Sequence, residues 1–223
     1  YGLVTSGNAF YKHLSDTLRN LNFIPCRMDN SIWYRKGTGY DYFSHHVDDF
    51  LIISNDAEKI LDDLKRTYTI TGGNFPKHHL GMDLIRSENP TYIAIGTHTY
   101  IKEALKHVKK ILDKETLGKA KTPTPIEFNP EMDDSPLLDK KGINNFQRLI
   151  GIGNWLVTLG RGDIGYGINQ LSKYNAAPRV GHLKLLTRIF EYLNVKSEKL
   201  IVSQGKDSPE FLKELNTKRM YAP

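Results

Sequence analysis

The chain has 223 residues, 39% hydrophobic and 25% charged, which is enough apolar mass for a folded core in one or two domains. No run of ~20 apolar residues marks a membrane span, no secretory leader is visible, and the lone Cys26 excludes an internal disulfide and fits a reducing compartment. The net charge of +6 favours a polyanionic partner.

In chain order, Phe10, Leu14, Leu18 and Leu21 recur at helical spacing and predict an amphipathic helix over 8–21. After the turn-forming Gly37-Thr38-Gly39, the apolar runs Tyr40–Phe43 and Phe50–Ile53 flank His46-Val47-Asp48-Asp49. This pattern predicts strand, tight turn, strand, with two acids at the bend. Adjacent carboxylates repel, so they belong in open solvent or beside a divalent cation. Hard cations such as Mg²⁺ take oxygen ligands and share them with substrate phosphates. A solvated hairpin tip is the alternative. Asn55 or Asp56 fits an N-cap for a helix with Ile60, Leu61, Leu64 and Tyr68 on its apolar face.

Gly72-Gly73 and Pro76 interrupt the pattern, and a strand pair is expected over His79–Arg86 and Tyr92–Gly96, joined through Asn89-Pro90. Ile101, Ala104, Leu105, Val108, Ile111 and Leu112 form the stripe of a further helix, with Lys102, Lys106, Lys109 and Lys110 largely on another face. A lysine row of this kind meets phosphates or is an ordinary solvated surface. Residues 113–142 are polar and proline-rich and read as a linker or extended strap. Three helical sets follow: Phe146, Leu149, Ile150, Trp155, Leu156 and Leu159; then Ile164, Ile168 and Leu171; then Leu183, Leu186, Ile189, Phe190 and Leu193. The segment from Gln204 is charged, with order expected only over Pro209–Leu215. The chain opens at Tyr1 without an initiator methionine and reads as an excised piece of a longer polypeptide.

Six motifs in order carry a family resemblance. Tyr1–Lys12 is similar to a "YGLKQSxRAWYxxL" segment, and His46-Val47-Asp48-Asp49 to the "YVDD" polymerase signature. His79-Leu80-Gly81-Met82-Asp83 is similar to "FLGMEI", and Tyr100-Ile101 to a helix-opening "YI". Thr122-Pro123 matches "TPM". The run from Leu149-Ile150-Gly151 through Arg161, Asp163-Ile164, Leu171-Ser172, Pro178, His182 and Tyr192-Leu193 follows a long helical motif. Together they resemble the reverse transcriptase of copia-type (Pseudoviridae) retrotransposons, in a wording closest to diatom and other algal elements.

The resemblance implies an α+β fold: part of a polymerase palm, an antiparallel sheet with packed helices, followed by a helical thumb and connection. Residues 1–85 would be the C-terminal part of the palm, 86–122 the thumb helix region, 123–142 a linker, and 143–223 a connection toward an absent ribonuclease H domain. It implies an RNA-directed DNA polymerase that transfers dNTPs to a primer 3′ end with two Mg²⁺ ions, Mn²⁺ being an alternative. Asp48 and Asp49 are the implied catalytic and metal-binding residues. Gly2, Ser6, Gly7 and His46 would face nucleotide or template, Leu80, Gly81 and Met82 would form the primer grip, and Lys102, Lys106, Lys109 and Lys110 would lie along the duplex backbone.

Implied partners are an RNA template, a DNA primer, dNTPs, an upstream fingers and palm segment and a downstream ribonuclease H domain, with no membrane. The implied location is a cytoplasmic virus-like particle. The family's third catalytic carboxylate lies upstream of the segment that opens this chain, so the isolated fragment is expected not to polymerise. His46 stands in place of the signature tyrosine and Thr5 in place of the usual glutamine, which points to a degenerate or domesticated nucleic-acid-binding copy as the alternative. A metal hydrolase using His45, His46, Asp48 and Asp49 is a third reading, opposed by the strand alternation that sends His45 and His46 to opposite faces.

Overall fold

The computed structural model describes residues 6–37, 39–86 and 93–203. It is a mixed α+β structure with two antiparallel four-stranded sheets, and among the described residues it contains six α-helices. None of these helices is long and apolar enough to cross a membrane. The chain divides into two compact units, Tyr1–Phe75 and Pro76–Pro223. The expected palm segment 1–85 therefore spans the division, while the thumb, linker and connection segments fall in the second unit.

The first unit opens with α1 (Ser6–Asn20) and continues into strands β1 (Ile24–Pro25), β2 (Ile32–Lys36), β3 (Tyr40–His46) and β4 (Asp49–Ile53), in the order β1-β2-β3-β4, and then α2 (Ala57–Lys65). Burial alternates along β3: Asp41 and Phe43 are buried, whereas Tyr40 and Tyr42 are exposed. That is the pattern of a sheet packed on one face. The covering core joins Leu14 and Leu18 of α1, Phe23, Trp33 and Phe43, and Ile60 and Leu64 of α2. Tyr68 follows α2 and fastens it to α1: its hydroxyl meets His13 Nδ1 at 2.7 Å and Thr17 Oγ1 at 3.0 Å, and its ring stands edge-on to Phe10. Strands β1 and β2 were not expected from sequence.

The second unit contains β5 (His78–His79), β6 (Met82–Arg86), β7 (Ile93–Gly96) and β8 (Leu200–Ser203), in the order β5-β6-β7-β8. The Asn89-Pro90 turn expected between β6 and β7 lies outside the described residues. Between β7 and β8 run α3 (His98–Leu112), α4 (Lys140–Thr158), α5 (Gly165–Ser172) and α6 (Val180–Val195). Their facing stripes form one core, including Ile101, Leu105, Val108, Phe146, Leu149, Ile168, Leu186, Ile189 and Phe190. β8 was not expected; it pairs antiparallel with β7, Ile93 opposite Ser203 and Gly96 opposite Leu200.

The segment between α3 and α4 behaves as a strap. Leu117 and Ala120 enter the core, and the stretch from Pro130 is laced to the start of α6. His182 Nδ1 accepts the Arg179 amide at 3.1 Å, and its Nε2 sits 2.8 Å from the Pro130 carbonyl. The Gly181 amide donates to Ser135 Oγ at 2.8 Å. Bonded at both nitrogens, the imidazole is held in one orientation.

Candidate functional site

The acid pair sits on a two-residue hairpin. His46 and Asp49 are the last register pair of β3 and β4, which leaves Val47 and Asp48 as the turn. Such turns favour a positive φ at the first central position, usually glycine. Here Val47 takes φ 56°, a costly conformation for a β-branched residue, on the order of 1–3 kcal/mol. The turn therefore holds local strain where it presents the carboxylates.

Cross-strand partners share a face, so His46 and Asp49 lie together on the outer face, and both are exposed, as is Asp48. Neither carboxylate has a hydrogen bond or ion pair among the described residues. His45 lies on the opposite face with Phe50, its ring 5.7 Å from Tyr11 of α1 and 6.4 Å from Phe43. Burial lowers the affinity of its ring for a proton more than the nearby Asn30 backbone and Asp29 carboxylate raise it. His45 is thus a packing group behind the hairpin.

The far end of the hairpin is anchored by Asp41. Its carboxylate accepts Arg35 Nε at 2.8 Å and the Ser54 hydroxyl, while Arg35 Nη1 donates to the Leu21 carbonyl at 2.8 Å. Burial works against its charge, yet Ser54 and Arg35 hold the carboxyl below its ordinary value. This network joins β2, β3, the end of β4 and the chain after α1, giving the turn a rigid base.

The remaining candidates divide between the units. Gly2 lies outside the described residues. Ser6 and Gly7, expected in a turn, are the first two residues of α1, about one helical turn before the Tyr11 that touches His45. A Cβ at Gly7 would meet nothing within 4 Å.

In the second unit, Leu80 and Gly81 form the two-residue turn between His79 and Met82, with φ 49° and 83°. A Cβ at Gly81 would lie 3.3 Å from Leu159 Cδ1 and 3.6 Å from Trp155 Nε1, so this turn rests against α4. Behind it, the buried Asp83 accepts from the Thr99 amide at 3.0 Å and meets His78 Nδ1 at 2.9 Å. It thereby supplies α3 with the cap that its own Thr97 side chain does not make. Lys102, Lys106 and Lys110 are exposed along α3 and Lys109 is half-buried; Lys106 is tied to Glu103 at 2.7 Å.

The sequence reads Arg161 and Asp163 as a structural pair at a helix end, and the structure adds partners that the sequence does not show. Arg161, 2% exposed, grips Asp163 in a bidentate pair with both contacts at 2.9 Å. Asp163 also accepts from the Tyr192 hydroxyl at 2.7 Å and from Lys199 at 3.1 Å. Burial opposes its charge, but Arg161 and Tyr192 hold the carboxyl far below its ordinary value. The pair ties the end of α4 to α6, and its signal in sequence was two opposite charges flanking a glycine.

No cluster of three His, Cys, Asp or Glu side chains able to hold a metal occurs among the described residues. The metal hydrolase reading therefore has no assembled site, since His45 turns inward while Asp48 and Asp49 face out. Two exposed oxygen donors without internal partners suit a hard cation in kind, as Mg²⁺ accepts one or two carboxylates plus substrate oxygens. They fall short of a closed site in number.

The chain is similar to retrotransposon Pol polyproteins. It is 26% identical over 197 residues to the "Retrovirus-related Pol polyprotein from transposon RE1" of Arabidopsis thaliana, covering 86% of this chain and 13% of that protein. It is 23% identical over 197 residues to the "Putative transposon Ty5-1 protein YCL074W" of Saccharomyces cerevisiae, covering 86% of this chain and 62% of that protein. Against the "Retrovirus-related Pol polyprotein from transposon RE2" of Arabidopsis thaliana, identity is 24% over 226 residues, 100% of this chain and 14% of that protein. The chain thus spans between about an eighth and three-fifths of the relatives it matches. No protein-family model and no solved structure matches.

Proposed function

We propose that the chain is a polymerase region of a copia-type retrotransposon Pol polyprotein, with the Val47–Asp49 hairpin contributing to its metal site. The observation that carries this reading is the strained, exposed turn that presents Asp48 and Asp49 without internal partners, on a hairpin clamped at its base by Asp41. Asp48 and Asp49 would hold Mg²⁺, or Mn²⁺, which when bound neutralises phosphate charge and activates the attacking oxygen. Asp48, at the apex, is the principal ligand; Asp49 and His46 share the outer face beside it. Ser6 and Gly7 at the start of α1 would flank the incoming nucleotide or template, and Gly2 is assigned with them from sequence.

In the same reading, residues 1–85 are the C-terminal part of the palm, α3 belongs to the thumb, and α4 to α6 form a connection. Leu80, Gly81 and Met82 would press on the primer end, and Lys102, Lys106, Lys109 and Lys110 would follow the duplex backbone. β4 is an edge strand in the described sheet, free on the side away from β3 to accept a further strand bringing a third carboxylate. Template RNA, primer DNA, dNTPs and the neighbouring polyprotein segments are the partners, in a cytoplasmic particle.

Because two carboxylates alone are gathered here, the chain by itself is expected not to extend a primer. Primer extension on an RNA template should appear only when the chain is joined to an upstream palm segment carrying an acidic strand. Asp48→Asn should then lower the rate at least 10²-fold, the scale of losing a group that organises phosphoryl transfer. Extension by the joined protein that survives Asp48→Asn would overturn the assignment of the metal site. A joined protein that binds template–primer without extending it would instead favour the degenerate nucleic-acid-binding copy, toward which His46 in the tyrosine position already leans.

A further inference from the structure

The first two turns of α4 carry a surface that the motifs above do not account for. A shallow, mostly open groove runs along the helix between Asp139 and Arg148. Its lining includes Lys140, Lys141, Asn144 and Arg148, all exposed. No aromatic or aliphatic residue lines it, and Asp139 is its one carboxylate. That carboxylate caps α4 at 2.7 Å from the Gly142 amide and makes no ion pair with the cations among the described residues, which leaves them in excess of it. Among the described residues Lys140, Lys141 and Arg148 have no hydrogen bond or ion pair.

Two of the lining side chains are held in place. Asn145 Nδ2 donates to the Ile111 carbonyl at 3.1 Å, and Gln147 Nε2 donates to the Asn175 carbonyl at 2.9 Å. The first of these bonds sets the groove against the last turn of α3, where Lys109 and Lys110 lie. Lys141 and Arg148 sit about one helical turn before and after Asn145, on the same side of α4.

We propose that this groove binds the phosphate backbone of a nucleic-acid duplex, as a second contact surface besides the lysine row of α3. Lysine, arginine and amide side chains without apolar neighbours are the donor set for phosphate oxygens, which position a strand without reading its sequence. Length agrees: from Lys140 to Arg148 the helix advances ~12 Å, which spans roughly three to four phosphates of one strand. Three free cations meet about that many charges. The inference rests on the polymerase reading, because that reading brings a template–primer duplex to this unit.

The test is fluorescence anisotropy of a labelled ~20-base-pair duplex with the full chain, titrated at several salt concentrations. The variant Lys140→Ala/Lys141→Ala/Arg148→Ala removes three cations from exposed positions, and its far-UV circular dichroism reports that the fold is retained. It should weaken binding on the order of tenfold or more at 0.1 M salt, and reduce the slope of log K against log salt by ~2.7. The charge-preserving Lys140→Arg/Lys141→Arg/Arg148→Lys should bind within about twofold of the parent. Unchanged affinity and slope in the alanine variant, with the parent binding normally, would overturn the groove and leave the polymerase reading standing. A parent chain that binds no duplex would overturn the groove, while the polymerase reading stands or falls on primer extension by the joined protein. Displacement of the duplex by polyglutamate at equal charge would reassign the surface to an acidic protein and overturn the proposal.

Discussion

Asp163→Asn separates charge from shape in the polar network that closes the second unit. The asparagine keeps the size of the side chain and leaves Arg161, 2% exposed, with a buried cation and no counter-charge. The bidentate contacts at 2.9 Å become weaker neutral bonds, and the Tyr192 and Lys199 contacts lose their charge assistance. The Asp163 side chain is 23% exposed, so the loss falls below the scale of a fully buried pair, at about 2–3 kcal/mol. For a unit of roughly 150 residues, each kcal/mol moves the midpoint about 2–4 °C, so a fall of about 4–12 °C is expected.

Urea unfolding followed by far-UV circular dichroism measures the loss directly. The double variant Arg161→Met/Asp163→Leu, which removes both charges, should recover most of it. The pH dependence has a definite sign. Asp163 has a carboxyl held below its unfolded value, so its contribution is fully present above about pH 4 and is lost as pH falls below that, toward the folded-state value. The parent should therefore lose stability below about pH 4 more steeply than Asp163→Asn. A loss under 1 kcal/mol in Asp163→Asn, or a double variant as unstable as the single one, would refute the claim that Arg161 depends on this carboxylate.

Two further changes set opposing terms against each other. Gly181→Ala places a Cβ 2.2 Å from Asp133 Oδ2 and 2.5 Å from its Cγ, so the whole carboxylate must swing and break its 2.9 Å bond from the Ser135 amide. Overpacking of about 1–3 kcal/mol should outweigh the gain of up to ~1 kcal/mol in helix propensity, and a higher melting temperature would contradict this. Val47→Gly should act in the other direction. Relief of the left-handed valine, about 1–2 kcal/mol, exceeds the ~0.5–1 kcal/mol of added unfolded-state freedom, so the first unit should gain up to about 1 kcal/mol in denaturant titration, and a loss would show that the turn is not strained.

The long amphipathic elements were legible because their stripes are local. The Ile101–Leu112 stripe and the three later helical sets reappear in the core of the second unit. Within the first set Trp155 was grouped with the buried residues, yet it is 44% exposed beside the Leu80–Gly81 turn. Strands β1, β2 and β8 were missed. β1 has two residues, β2 is a short Ile-Trp-Tyr run between polar segments, and β8 owes its pairing to a strand about a hundred residues earlier in the chain. The acid pair was readable because apolar runs bracket it. The Arg161–Asp163 pair was readable as well, but its bond to Tyr192 was not, because Tyr192 lies 29 positions from Asp163. Strain at Val47 was equally hidden, since φ is set by the register of the hairpin rather than by the residue itself.

The pairing of β8 with β7 bears on how the molecule is made. Four helices and the strap are inserted between two strands that end up side by side. Most contacts of the first unit are available to a nascent polypeptide once residues as far as Phe75 have left the ribosome. The sheet of the second unit cannot be completed until Ser203 has been synthesised, so its assembly is delayed and its β7 edge stays open through the interval in which aggregation and proteolysis compete with closure.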